Sequence, residues 1–201
     1  MTRRWLAPCL LLAGMVGAWQ IAAETGLLAD LLSLEAYVVP SPSEIASTLW
    51  ENRALLLEDG WVTLVEIALG FLCAVAIGLF FAVAMYLSPL LRDAAYPLVV
   101  ASQTIPIVVL APILAIWLGF GIGPKLAIVA LICFFPITVA SFDGLRSTDP
   151  AAIKLMRTLD ASRAQTFRRV EAPGALPSFF SGARIAAAIA PIGAVFAEWS
   201  G

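Results

Sequence analysis

Asp160-Ala161-Ser162-Arg163-Ala164-Gln165-Thr166-Phe167-Arg168-Arg169-Val170-Glu171-Ala172-Pro173 is a polar, basic stretch set between two long apolar segments. Just before it, Pro150 to Leu159 predicts one short helix, with Asp149 beside its N-terminus, where negative charge is favoured. Ala161 to Val170 predicts a second short helix, ended by Pro173. On that helix Phe167 and Val170 fall on one face, and Arg163, Gln165 and Arg169 supply polar contacts. A short amphipathic helix beside a membrane is a natural knob for a partner's groove. The alternative is a surface helix whose arginines lie along anionic headgroups.

The flanking segments decide the fold class. Of 201 residues, 61% are hydrophobic and only 13% charged, and the mean hydropathy is +0.95. A soluble domain carries about 25% charged residues. A membrane helix needs roughly 20 mostly apolar residues. Five segments meet that need: Trp5 to Ala23, Thr63 to Leu87 (interrupted only by Glu66), Tyr96 to Leu118 with three prolines, Leu126 to Phe142, and Phe179 to Ala197. The first is read as a retained anchor and not a signal peptide, because its apolar run is long and no Ala-x-Ala site follows. In the fifth, Gly182, Ala183, Ala186, Ala187 and Ala190 are expected to permit close helix packing.

Lysine and arginine placement gives the orientation. Arg3 and Arg4 put the N-terminus in the cytoplasm. The loop from Glu24 to Gly60 then lies outside, with seven acids and Arg53 as its one base. The loop around Arg92 returns inside, and the Gly119 to Pro124 turn lies outside. Residues 143–178 are inside, with Arg146, Lys154, Arg157, Arg163, Arg168 and Arg169. In the outer loop, Ser41-Pro42-Ser43-Glu44 predicts a capped helix start. Ile45, Leu49, Leu55 and Leu56 then make it amphipathic, lying at the outer surface.

The spacing at the opening stretch resembles the cytoplasmic loop of binding-protein-dependent ABC importer permeases, whose pattern is Glu-Ala-Ala, three residues, Gly, nine residues, Ile, any residue, Leu-Pro. Here Lys154-Leu155-Met156 stands at Glu-Ala-Ala, Asp160 at the Gly, Val170 at the Ile and Ala172-Pro173 at Leu-Pro. Further stretches are similar to the nitrate, sulfonate and taurine branch of that family. They are Val39 to Glu44, Thr63-Leu64-Val65-Glu66 with Gly70-Phe71, Gln103-Thr104-Ile105-Pro106, Ala111-Pro112, and Phe134 to Ile137 with Asp143-Gly144-Leu145. Ala101 to Thr104, Ile132 to Pro136 and Gly193 to Trp199 look most like permeases assigned to pyrimidine precursors of thiamine.

The resemblance implies an all-α, polytopic, type I ABC importer transmembrane domain over residues 38–201, preceded by an anchor helix and outer loop in residues 1–37. Family members continue for about one more helix, so about five of an expected six helices are present. A chain cut short there is expected to transport weakly. The resemblance assigns ATPase coupling to Asp160, Ala161, Ser162, Phe167, Arg168, Arg169, Val170 and Pro173. It implies a cytoplasmic ABC ATPase using ATP and Mg2+, a periplasmic or lipid-anchored solute-binding protein, a permease homodimer, membrane lipid around it, and a bacterial inner-membrane location. The solute would be a thiamine pyrimidine precursor or, alternatively, a sulfonate, taurine or nitrate.

Candidate pathway residues are Gln103, Thr104, Pro106, Glu66 and Glu198, because intramembrane polar groups are costly. Interfacial placement explains Glu66 and Glu198 equally well, and helix–helix hydrogen bonding is the alternative for Gln103. No G-x-x-x-x-G-K-[ST] occurs, so ATP hydrolysis belongs to another chain. Cys9, Cys73 and Cys133 lie in apolar runs without CxxC spacing, and there is no histidine, so no metal, cofactor or catalytic group is expected. A net charge of −2 gives no reason to expect nucleic-acid binding. A secondary transporter or channel ranks lower, for want of midplane carboxylates or inverted repeats. A membrane enzyme ranks lower still.

Overall fold

A computed structural model describes residues 3–33, 35 and 38–200, and among them there is no strand. The chain divides into two compact units, residues 1–61 and 62–201. The boundary expected after residue 37 falls outside the described residues.

The first unit holds α1 (Arg3–Glu24), α2 (Leu27–Leu32), α3 (Pro42–Glu51) and the start of α4 (Arg53–Leu87). Ser41 caps α3: its hydroxyl accepts from the Glu44 amide at 3.3 Å, and Glu44 accepts from the Ser41 amide at 2.8 Å. That reciprocal pair satisfies donors the first turn leaves free. The helix stops at Glu51, so Leu55 and Leu56 belong to α4 and not to a single amphipathic outer helix. Gln20 of α1 ties to this start. Its amide group donates to Ser43 Oγ at 2.7 Å, and its carbonyl oxygen accepts from the Ser43 backbone at 3.0 Å.

The second unit continues with α5 (Pro89–Ala101), α6 (Ile107–Leu118), α7 (Ile122–Arg146), α8 (Pro150–Thr158), α9 (Arg163–Thr166) and α10 (Ala172–Ser200). Among the described residues, α1, α4, α7 and the run from Arg163 to Trp199 are long and apolar enough to cross a membrane. At 35 residues, α4 would span about 52 Å, well beyond a hydrocarbon core of about 30 Å.

The expected span from Tyr96 to Leu118 is not one helix. α5 and α6 meet at a 103° bend. Pro106 has no amide to donate, and the residue before a proline avoids the helical region. Ile105 takes φ −87° and ψ 119° accordingly. Ser102 and Thr104 donate their hydroxyls to the carbonyls of Val99 and Ala101, both at 2.7 Å, which satisfies acceptors freed where α5 ends.

Packing in this unit is tight between α7 and α10. Val129, Cys133 and Ile137 meet Ala186, Ala190 and Ala194, with Ala74 of α4. Both rows step by four residues, so ridges of one helix fit grooves of the other. Gly182 lies so close to α7 that a Cβ there would sit 2.5 Å from the Pro136 carbonyl oxygen. Of the small residues expected at this contact, Gly182, Ala186 and Ala190 are buried and Ala183 is half-buried. Ala187 is exposed, because it falls one position past the stripe, which continues instead through Ala194 and Ala197.

Candidate functional site

The α8–α9 segment begins at Asp149, whose carboxylate accepts from the Ala151 amide at 2.8 Å. Ile153 and Met156 turn partly inward, while Leu155 and Leu159, one turn apart, are 60% and 69% exposed. The helix ends in a Schellman arrangement. The Ala161 amide donates to the Met156 carbonyl at 3.0 Å and the Asp160 amide to the Arg157 carbonyl at 3.1 Å. That closure needs a left-handed residue, and Asp160 supplies it at φ 56°. Short polar side chains bear this conformation better than most.

Ser162 then caps α9 through a second reciprocal box with Gln165, at 3.3 Å and 2.8 Å. The separate helix expected from Ala161 to Val170 is not found. α9 ends at Thr166, runs through a π-turn over Phe167–Glu171, and continues into α10. Pro173 does not end it. The Ala172 amide reaches back five residues to the Phe167 carbonyl, and this wider register carries the chain into a proline that donates nothing.

Of the residues expected to couple to a partner, Asp160, Ser162, Arg168, Arg169 and Pro173 are exposed, and Ala161 and Val170 are half-buried. Phe167 turns inward. Its ring lies 6.4 Å from that of Tyr86, and it helps line a cavity of about 160 Å³ with Leu79, Val83, Leu145 and Phe179.

Beside Phe167 lies a charged cluster that the sequence did not announce. Glu171, only 2% exposed, accepts from Arg163 at 2.5 Å. The Arg163 guanidinium carbon is 5.4 Å from the centre of the Tyr86 ring, at the end of α4. The Tyr86 side chain interacts with both charged groups. Arg163 was expected to supply a polar contact, but Glu171, at the free position before Ala172-Pro173, was not foreseen as its partner.

Glu66 lies on α4, and Glu198 meets α4 one turn before it. Glu66 is 3% exposed and pairs with Lys125, in the first turn of α7, at 3.0 Å. Its second oxygen is buried with no partner among the described residues. One turn earlier, Thr63 donates to Glu198 of α10 at 2.5 Å. Lys125 and Thr63 were not foreseen as partners, although Lys125 directly follows the predicted outer turn. Gln103, Thr104 and Pro106 sit at the α5–α6 bend, with Gln103 exposed. Among the described residues, Glu66 and Glu198 pair instead with Lys125 and Thr63.

Residues 74–201 match the family described as binding-protein-dependent transport system inner membrane component. A probable ABC transporter permease protein of Haemophilus influenzae is 38% identical over 198 residues, covering 98% of this chain and 78% of that protein. The formylaminopyrimidine transport permease protein ThiX of Halalkalibacterium halodurans is 37% identical over 197 residues, covering 98% and 76%. A putative aliphatic sulfonates transport permease protein, SsuC, of Bacillus subtilis is 29% identical over 199 residues, covering 98% and 70%.

Proposed function

Since the chain belongs to the binding-protein-dependent ABC importer permeases, as a transport component and not an enzyme, we propose that its α8–α9 segment receives the partner ATPase and that its solute is a small pyrimidine. The observation that carries the first part is the pair of capped helices joined at left-handed Asp160, with Leu155 and Leu159 held out of the fold. An exposed i, i+4 leucine pair on a short rigid helix suits insertion into a groove. Asp160, Ala161, Ser162, Arg168, Arg169, Val170 and Pro173 frame that knob, and Phe167 supports it from behind.

The ATPase, using ATP and Mg2+, stands on the cytoplasmic side of the bacterial inner membrane. A solute-binding protein delivers from the outside, and two copies of this chain enclose one path. Gln103, Thr104 and Pro106 at the bend, with Glu66 and Glu198, are the polar groups available to it. The identity to the formylaminopyrimidine permease supports the pyrimidine, and an aliphatic sulfonate is the second reading from the more distant relative. Uptake of radiolabelled formylaminopyrimidine and of an alkanesulfonate by cells carrying this chain with its neighbouring ATPase and binding protein tests the solute. Uptake of the sulfonate alone would replace the pyrimidine reading.

A further inference from the structure

We propose that Tyr86, Arg163 and Glu171 form a mechanical joint that ties α4 to the α8–α9 segment, so that a push on that segment moves α4 together with α10. The proposal rests on reading that segment as the ATPase-facing one.

α9 and α10 are continuous through the π-turn, so any displacement of α9 reaches α10 through the backbone. α4 has no such connection, and Tyr86 sits at its far end. The link is made by side chains. Residues eight apart on a straight α-helix are separated by about 12 Å along the axis and lie outside the i, i+4 reach. Arg163 and Glu171 nevertheless meet, their long side chains reaching across the π-turn that lies between them.

The carboxylate is buried, whereas the guanidinium is half-exposed. A buried carboxylate is held in place by its ion pair with Arg163, since leaving it unpaired is costly. Arg163 in turn stacks on Tyr86. The Phe167 ring also lies 6.4 Å from that of Tyr86, and Ala82 and Met85 of this end of α4 pack with Ala95 of α5 and Phe142 of α7. One point therefore clamps α4, α9 and the π-turn, and it lies where the segment enters the membrane helices.

Glu171→Gln and Tyr86→Leu, examined in the full complex with ATPase and binding protein in lipid nanodiscs, test the joint. ATPase retained through purification and basal ATP hydrolysis should stay within about two-fold of the parent, while solute moved per ATP falls about five-fold or more. Tyr86→Phe should restore part of that loss by keeping the ring. Spin labels at Arg157 and Leu87 in the chain without its ATPase should give a narrow distance distribution, broadened by either variant. Unchanged transport per ATP and an unchanged distribution would overturn the joint. Loss of ATPase retention in the variants would also overturn it, in favour of a direct contact role. Failure of the unaltered chain to retain any ATPase would instead sink the parent reading and leave the spin-label result standing.

Discussion

Asp160 holds the one left-handed turn between α8 and α9, and its backbone geometry is what a glycine would supply without strain. Asp160→Gly should keep or raise thermal stability, by up to about 1 kcal/mol, whereas Asp160→Val should cost about 1–2 kcal/mol because a β-branched side chain clashes in that region. Unfolding followed by circular dichroism in detergent would separate the two. At Glu66 the chemistry differs. Removing one member of a buried pair leaves the other charge uncompensated. Glu66→Ala should therefore lower stability by about 3 kcal/mol, while Glu66→Leu combined with Lys125→Met should lie within about 1 kcal/mol of the parent. A double variant no better than the single one would show that the loss in Glu66→Ala does not come from an uncompensated Lys125.

At the scale of elements, close approach dominates. Gly182 meets a backbone carbonyl of α7, which has no flexible end to move aside. Gly182→Ala should separate α7 from α10 and cost about 1–3 kcal/mol. A measured loss below about 0.5 kcal/mol, the usual range for surface changes, would mean the two helices slide freely there. The stripe of small residues was legible because its four-residue step is local. The π-turn was not, since no residue pattern announces a five-residue register. Its consequence, a buried Glu171 under Arg163, was hidden with it. The 103° bend was half legible: Pro106 stood in the sequence, but so did Pro97, Pro112 and Pro136, which sit inside helices. What distinguishes Pro106 is Ser102 and Thr104 just upstream, whose hydroxyls satisfy the carbonyls that the break releases.

For the molecule as a whole, the alternation of apolar runs gave the helical membrane class, and the loop spacing pointed to the right family. Pairings between distant helices, such as Glu66 with Lys125, follow from tertiary packing and leave no trace in a single sequence. The same holds for the inward turn of Phe167. If α8 is the knob, Leu155→Glu with Leu159→Glu should abolish ATPase co-purification while leaving membrane insertion and helix content unchanged, because both side chains are exposed and support nothing in the fold. Retention of the ATPase by that double variant would move the contact to Arg168 and Arg169.

The bend between α5 and α6 carries one more consequence, in the currency of isotope exchange. No side chain caps the start of α6, and Pro106 accepts from Val109 and Leu110, leaving the first amides of the helix without a helical acceptor. Hydrocarbon does not tolerate such donors, so this backbone must meet either a neighbouring protein or water. Deuterium should then enter at Ile107 and Val108 within seconds in the resting complex, while the amides of α7 and α10 stay protected for hours. A slow-exchanging bend would place another protein surface, and not solvent, against it.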